Sequence, residues 1–217
     1  MPLSLTELIS PEKALLFRIT HRDNVAHLLR HGMQCRSSTV FDSNFVTIGN
    51  PDIIDRRKGW PVDVPPGGVL ADYVPFYFTP RTPMLYNIVT GHNGLTLRMR
   101  SEIVVLVTSL DRLEELELPY VIADRNAVLV SATFTSGRAG LAGLRWDNWQ
   151  GSDFKRDDGD PAKIEQYQAE ALVHKSLPPS ALRAIITYDS GTQATVAQAV
   201  SDAGLSTPVH VRSIWYP

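Results

Sequence analysis

The segment Tyr73-Val74-Pro75-Phe76-Tyr77-Phe78-Thr79-Pro80-Arg81-Thr82-Pro83-Met84-Leu85-Tyr86 restricts the folds open to this chain more than any other. It is too aromatic for a solvated loop and too rich in proline for a helix, so Tyr73 to Phe78 reads as a short buried strand. Pro75 lacks a backbone donor, which favours a sheet edge or a strand start over a central strand. Pro80 and Pro83 force a turn around Arg81 and Thr82, and the apolar run from Met84 to Val89 then ends in a short helix before Gly91. An arginine held between two prolines beside aromatic faces suits a planar or phosphorylated ligand. The plainer alternative leaves Arg81 in solvent.

Around this segment the pattern is of α/β or α+β type, and 217 residues suffice for one domain, residues 1–217, with a full core. From Ser4 onward, Ser10-Pro11-Glu12-Lys13 looks like a helix start, followed by a strand from Leu15 to Thr20. Asp23-Asn24 is placed to cap a helix carrying Val25, Leu28 and Leu29, stopped by Gly32. Residues 34–71 lose periodicity apart from a short helix begun by Asn50-Pro51-Asp52, which carries Ile53, Ile54, Arg56 and Arg57. A segment this irregular in a compact domain is usually functional or mobile. Further strands are predicted at Ile103–Val107, Val121–Ala123, Val128–Phe134, Ala169–Val173, Ala184–Tyr188 and Val209–Val211. Helices are expected over Leu110–Leu118 and Thr192–Ala203. Trp146 to Pro161 is polar and reads as a mobile loop.

Composition removes several function classes. The net charge of −2, from 21 basic and 23 acidic residues, creates no global field for nucleic acid. A single cysteine, Cys35, excludes an internal disulfide and a cysteine-rich metal site. No apolar run reaches transmembrane length and the N-terminus lacks a secretory core, so a soluble, cytoplasmic protein is expected. His27 and His31 are four residues apart, but no third ligand motif lies nearby, so they read as surface histidines and no metal is expected. Gly137 to Gly143 has neither the Walker lysine nor the Rossmann spacing.

Glu170 is the outstanding chemical candidate. A carboxylate flanked by Ala169, Ala171, Leu172 and Val173 is paired, protonated or turned toward a site, unless simple alternation points it outward. By residue type the best phosphate ligands are Arg56-Arg57 and Arg81.

Three segments then carry a family resemblance: Ile19-Thr20-His21-Arg22-Asp23-Asn24, the block from Tyr73 to Tyr86, and Gln168-Ala169-Glu170-Ala171-Leu172-Val173. In order and spacing they resemble DarT, the DNA ADP-ribosyltransferase toxin of bacterial toxin–antitoxin pairs. The resemblance implies an ADP-ribosyltransferase fold, a split and mostly antiparallel sheet core with helices around it, cradling NAD. It implies transfer of ADP-ribose from NAD to a base of single-stranded DNA, thymine in the better-known branch, and a DarG-like macrodomain antitoxin as partner.

The resemblance also implies roles. Glu170 would be the catalytic carboxylate, stabilising positive charge at the anomeric carbon as nicotinamide leaves. Arg57, or its neighbour Arg56, would be the active-site arginine, and Glu170 or Arg57 would handle the base proton. His21 and Asn24 would meet the nicotinamide side of NAD, with Tyr77, Arg81 and Tyr86 completing its site. Trp146 to Tyr167 would recognise DNA through stacking by Trp146 or Trp149 and through Lys155, Arg156 and Lys163. The chain departs from the family pattern in having Gln166-Tyr167 before the glutamate and Ala171 after it. Two alternatives stand beside this reading: a related transferase acting on guanine, RNA or protein, and a catalytically silent nucleotide-binding module.

Overall fold

A computed structural model describes residues 5–40 and 42–217. Ser4, the expected beginning of the first segment, lies outside the described residues.

Helix α1 (Leu5–Leu8) precedes the expected helix start at Ser10–Lys13, which is a turn instead. Ala14 N–H closes it onto Ser10 O at 2.9 Å, and Ala14 has a φ of 38°. That left-handed conformation stops a helix from propagating, and the chain passes into β1 (Leu15–His21). Helix α2 (Val25–His31) buries Val25, Leu28 and Leu29 and stops at Gly32, φ 75°. Strand β2 (Met33–Gln34) follows. Helix α3 (Pro51–Arg57) begins as its sequence dictates: Asn50 Oδ1 accepts the Asp52 and Ile53 N–H groups, and Pro51 occupies a position where the missing donor costs nothing.

The aromatic block forms β3 (Tyr73–Tyr77). The proline turn leads into α4 (Pro83–Thr90), capped by Thr82 Oγ1 accepting Leu85 N–H at 3.1 Å. Next come β4 (Ile103–Ser109), α5 (Leu110–Glu115), β5 (Tyr120–Ala123) and β6 (Phe134–Ser136). The predicted strand at Val128–Phe134 is corrected here. Asp124 Oδ1 accepts Thr133 N–H at 2.9 Å and Asn126 Oδ1 accepts Val128 N–H at 3.3 Å. These side chains take backbone donors that a ladder would need, so residues 124–133 form a looped excursion.

Residues 146–161 are also more ordered in contacts than a polar loop would be. They contain α6 (Trp146–Gln150), whose Trp149 is fully buried and donates its indole N–H to Tyr167 O at 2.9 Å. Helix α7 (Lys163–Tyr167) then delivers the chain to β7 (Glu170–His174), and β8 (Ser176–Leu177), β9 (Ala184–Thr187), α8 (Ser190–Asp202) and β10 (Val209–Val211) complete it.

One eight-stranded sheet runs β10-β9-β4-β1-β3-β7-β5-β6, with β2 and β8 paired separately. Every neighbouring pair in it is antiparallel except β9 with β10. The ladder is continuous between β1 and β4, from Leu15↔Ser109 to His21↔Ile103, but β1 and β3 share the single register pair Phe17↔Tyr77. The sheet is therefore split at its middle. This also corrects the reading of Pro75: β3 is an interior strand, and the proline is tolerated because it sits at the split. Its carbonyl accepts not from a strand but from the Arg18 guanidinium, at 2.8 Å.

Alternation along the strands assigns the two faces. Val74, Phe76, Phe78, Ala171 and Val173 enter the larger core with α2, α5, α6 and α8. On the other face the apolar filling is in two parts. One gathers Phe17, Val105, Leu85 and Trp215, and the other gathers Val62, Tyr73, Val121 and Leu172. Tyr77 and Glu170 share this second face, between its two apolar parts.

Candidate active site

Glu170 opens β7 with Tyr77 of β3 opposite it on one side and Ala123 of β5 on the other. It is 3 % exposed, so the outward-facing alternative is excluded. A carboxylate this far from water needs compensation. It receives Arg57 Nη1 at 2.9 Å on Oε2 and 3.3 Å on Oε1, and the Ala127 N–H at 3.4 Å on Oε1. The helical rotation of α3 settles the register of its basic pair. Arg57 turns inward to Glu170, whereas Arg56 turns to the 124–133 loop and donates to Val128 O at 2.9 Å.

Arg57 keeps one donor in reserve. Its Nη2 is buried and has no hydrogen-bond partner among the described residues. A buried, unmet guanidinium donor beside an ionic carboxylate fits a ligand bearing hydroxyls or phosphate, which are the polar groups of NAD.

Arg18 and Tyr77 complete the electrostatics. Burial, and then the neighbouring Arg57 charge, push the Arg18 guanidinium down to about 10, with Tyr77 and Glu170 opposing the shift. Burial followed by the Glu170 carboxylate raises the Tyr77 phenol well above its ordinary value, so it stays a neutral hydroxyl. That hydroxyl points to Met84 Sδ at 3.7 Å. Arg18 was not anticipated as a site residue. A charge between Phe17 and Ile19 in an apolar strand was the available signal.

His21 ends β1, four residues beyond the Phe17 that faces Tyr77, and is buried. Its Nδ1 accepts Asp23 N–H at 3.3 Å while Nε2 faces Glu102 Oε1 at 3.4 Å. Glu102 is held below the usual carboxylate range, first by accepting Met99 N–H and then by His21.

The decisive comparison is with a family model described as "ssDNA thymidine ADP-ribosyltransferase, DarT", which matches residues 17–217. This chain belongs to the DarT family. A DNA ADP-ribosyl transferase of Escherichia coli O127:H6 (strain E2348/69 / EPEC) is 42% identical over 208 residues, 96% of this chain and 95% of that protein. DarT of Thermus sp. 2.9 in complex with ADP-ribosylated ssDNA superposes with a TM-score of 0.87 at 33% identity, covering 95% of this chain and 98% of the other. The same protein in complex with NAD+ gives 0.82 at 32% identity, covering 95% and 99%. The α+β fold with its split sheet is thus the DarT ADP-ribosyltransferase fold, and the chain is a DNA ADP-ribosyltransferase.

The remaining residues expected of a DarT site are dispersed. Asn24 is spent on structure: its amide donates to Thr20 Oγ1 at 3.0 Å and Val46 O at 2.9 Å and accepts Val46 N–H at 2.8 Å. It acts as a clamp on the segment around Val46. Arg81 reaches Ile214 O at 2.6 Å and Ser152 Oγ at 3.2 Å, tying the C-terminal segment to the 146–167 insert. Tyr86 is 41% exposed on α4, its ring 6.4 Å from those of His92 and Phe154.

The anticipated DNA contacts divide between buried and exposed positions. Trp149 stacks on Phe78 at 5.3 Å within the core on the face opposite Glu170, and the partly buried Trp146 meets both rings edge-on. Lys163 is buried and bound to Asp153 at 2.5 Å. Arg156 stands in solvent 3.7 Å from Asp158, and Lys155 lies in the same exposed stretch. Trp149 and Lys163 are thus engaged within the protein, whereas Trp146 is only partly buried and Lys155 and Arg156 stand exposed. Among the described residues no group of three or more His, Cys, Asp and Glu is placed to hold a metal, and no helix is long and apolar enough to cross a membrane.

Proposed function

We propose that this chain transfers ADP-ribose from NAD to thymidine in single-stranded DNA at the Arg57–Glu170 pair. The observation that carries the reading is that pair: a carboxylate and a guanidinium 2.9 Å apart, both shielded from water, with a further Arg57 donor unmet. NAD supplies the ADP-ribosyl group and releases nicotinamide. Glu170 is fixed by Arg57 and the Ala127 amide, so its negative charge is already oriented when positive charge develops at the ribose carbon beside it. In this shielded setting the field is weakly screened, and no solvent must reorganise. Arg57 Nη2 is free to hold an oxygen of the donor. The proton leaving the attacking thymine nitrogen goes to Glu170, the one carboxylate of the pair able to accept it once the ribose charge has been quenched.

Tyr77 supplies a neutral wall and hydroxyl beside Glu170, and His21 presents a ring whose orientation is set by Glu102. The residues work as one ADP-ribosyltransferase domain over 1–217. The family resemblance supports a toxin of a toxin–antitoxin pair, acting in the cytoplasm where NAD and DNA are available, with a macrodomain antitoxin that removes the modification.

The test is incubation with labelled NAD and oligonucleotides of each base composition, beside duplex DNA, RNA and a Glu170→Ala control. Label confined to thymidine-containing single strands, and absent with Glu170→Ala, is the expected result. Label on guanine, RNA or protein would replace the acceptor. Intact NAD throughout would overturn the reading.

A further inference from the structure

On the Glu170 face, three features outside the catalytic pair come together. Ile53, Arg56 and Trp60 follow at helical spacing along the outer flank of α3 and the residues after it. The Arg56 guanidinium lies over the Trp60 ring at 5.7 Å and makes no ion pair with a described residue. The neighbouring Asp55 is instead paired with Lys58 at 2.8 Å. Ile53 is 36% exposed, and Val130, at the tip of the 124–133 loop, is 94% exposed. An apolar side chain so fully in water, held by a loop whose backbone is tied down at Asp124, Asn126 and Val128, has no role in packing.

The same loop is continuous with the catalytic pair. Arg56 holds Val128 O, the preceding Ala127 donates to Glu170, and Asn126 N–H bonds Glu165 O at 3.0 Å beside it. Whatever reaches Glu170 from this side therefore passes Arg56 and Val130. An arginine plane backed by an indole, next to exposed aliphatic groups and an unpaired positive charge, is the chemistry that stacks unpaired bases and meets their phosphates. By contrast, Arg156 and Lys163 of the 146–167 insert face acids of their own, and Trp149 lies behind the sheet.

We propose that the Ile53–Arg56–Trp60 flank and the Val130 tip form the surface on which nucleotides flanking the target base of single-stranded DNA lie. The proposal rests on the DNA transferase reading above and adds the location of the strand. Base planes pack on the Arg56–Trp60 layer, and Val130 borders the strand where it bends toward Glu170.

Val130 permits a test in which fold and surface are separable, because its side chain touches solvent rather than core. The full chain is assayed with NAD and a thymidine-containing single-stranded oligonucleotide. Val130→Asp is expected to raise the KM for oligonucleotide about fivefold and Val130→Lys to lower it about twofold, from the charge placed beside phosphate. The separation between the two variants should shrink as salt is added. Opposite shifts of the two variants support the surface. Shifts in the same direction, or no shift in either, overturn it while leaving the transferase reading intact. Absence of DNA labelling by the unaltered chain overturns that reading and this surface together.

Discussion

Arg57 Nη1 and Glu170 Oε2 are 2.9 Å apart although 113 positions separate the residues in sequence, with side-chain exposures of 14% and 4%. Each is the other's main compensation for leaving water. Glu170→Ala and Glu170→Gln should each lower DNA labelling by about a thousandfold, since a fixed charge at the reacting centre is lost. Glu170→Ala should also cost about 3 kcal/mol of stability by stranding the guanidinium, and the double variant Arg57→Met, Glu170→Leu should regain much of that without regaining activity. Turnover and thermal unfolding on the same preparations check both statements.

Arg18 fills the split in the sheet by donating to the Pro75 carbonyl. Arg18→Met should destabilise by about 2 kcal/mol, because it leaves that carbonyl without a donor. Arg18→Lys should recover part of the loss. Urea denaturation of the two variants is the measurement, and an Arg18→Met midpoint equal to that of the unaltered chain would refute the role.

Trp149 anchors the insert that precedes Glu170, through its stack on Phe78 and its bond to Tyr167 O. Trp149→Ala should lower the melting temperature by about 6–12 °C through the cavity it opens. It should also open residues 151–162 to proteolysis. Arg156→Ala, at a solvated position, should leave the melting temperature unchanged.

Asp72 receives Lys175 Nζ at 2.7 Å, Ser37 Oγ at 2.6 Å and Val69 N–H at 3.0 Å. These bonds, that of Lys175 foremost, hold its carboxyl far below the ordinary value of 3.8. The folded state thus binds the Asp72 proton more weakly than the unfolded state. The resulting stability is present above the unfolded value and is lost as pH falls below it toward the folded one. Asp72→Asn should flatten the acid limb of the stability profile below about pH 4, as followed by circular dichroism.

The parts of the fold legible in sequence were those with a strong local pattern. Strands β4 and β9 are continuous apolar runs, α3 and α4 carry their capping Asn50 and Thr82 with proline next, and α2 ends on glycine. Glu170 was legible because a carboxylate in an apolar strand demands a partner. That partner was not fully legible: Arg56 and Arg57 are chemically alike, and only the rotation of α3 decides which one turns inward. Val128-Leu129-Val130 misled for the opposite reason. Their β-propensity is real, but two preceding side chains take the donors at either end of the stretch, Asn126 that of Val128 and Asp124 that of Thr133. Trp149 and Lys163 looked like ligand residues because composition does not reveal that Phe78 and Asp153 already hold them.

The meeting of β1 and β3 at one residue pair and one arginine has a mechanical consequence. Four strands lie to either side, His21 on one half and Tyr77 and Glu170 on the other. Opening this seam breaks few backbone bonds, whereas parting β1 from β4 would break a full ladder. The thinnest backbone join of the sheet therefore lies next to the strand ends that carry Tyr77 and Glu170, while each half keeps its register through its own ladders.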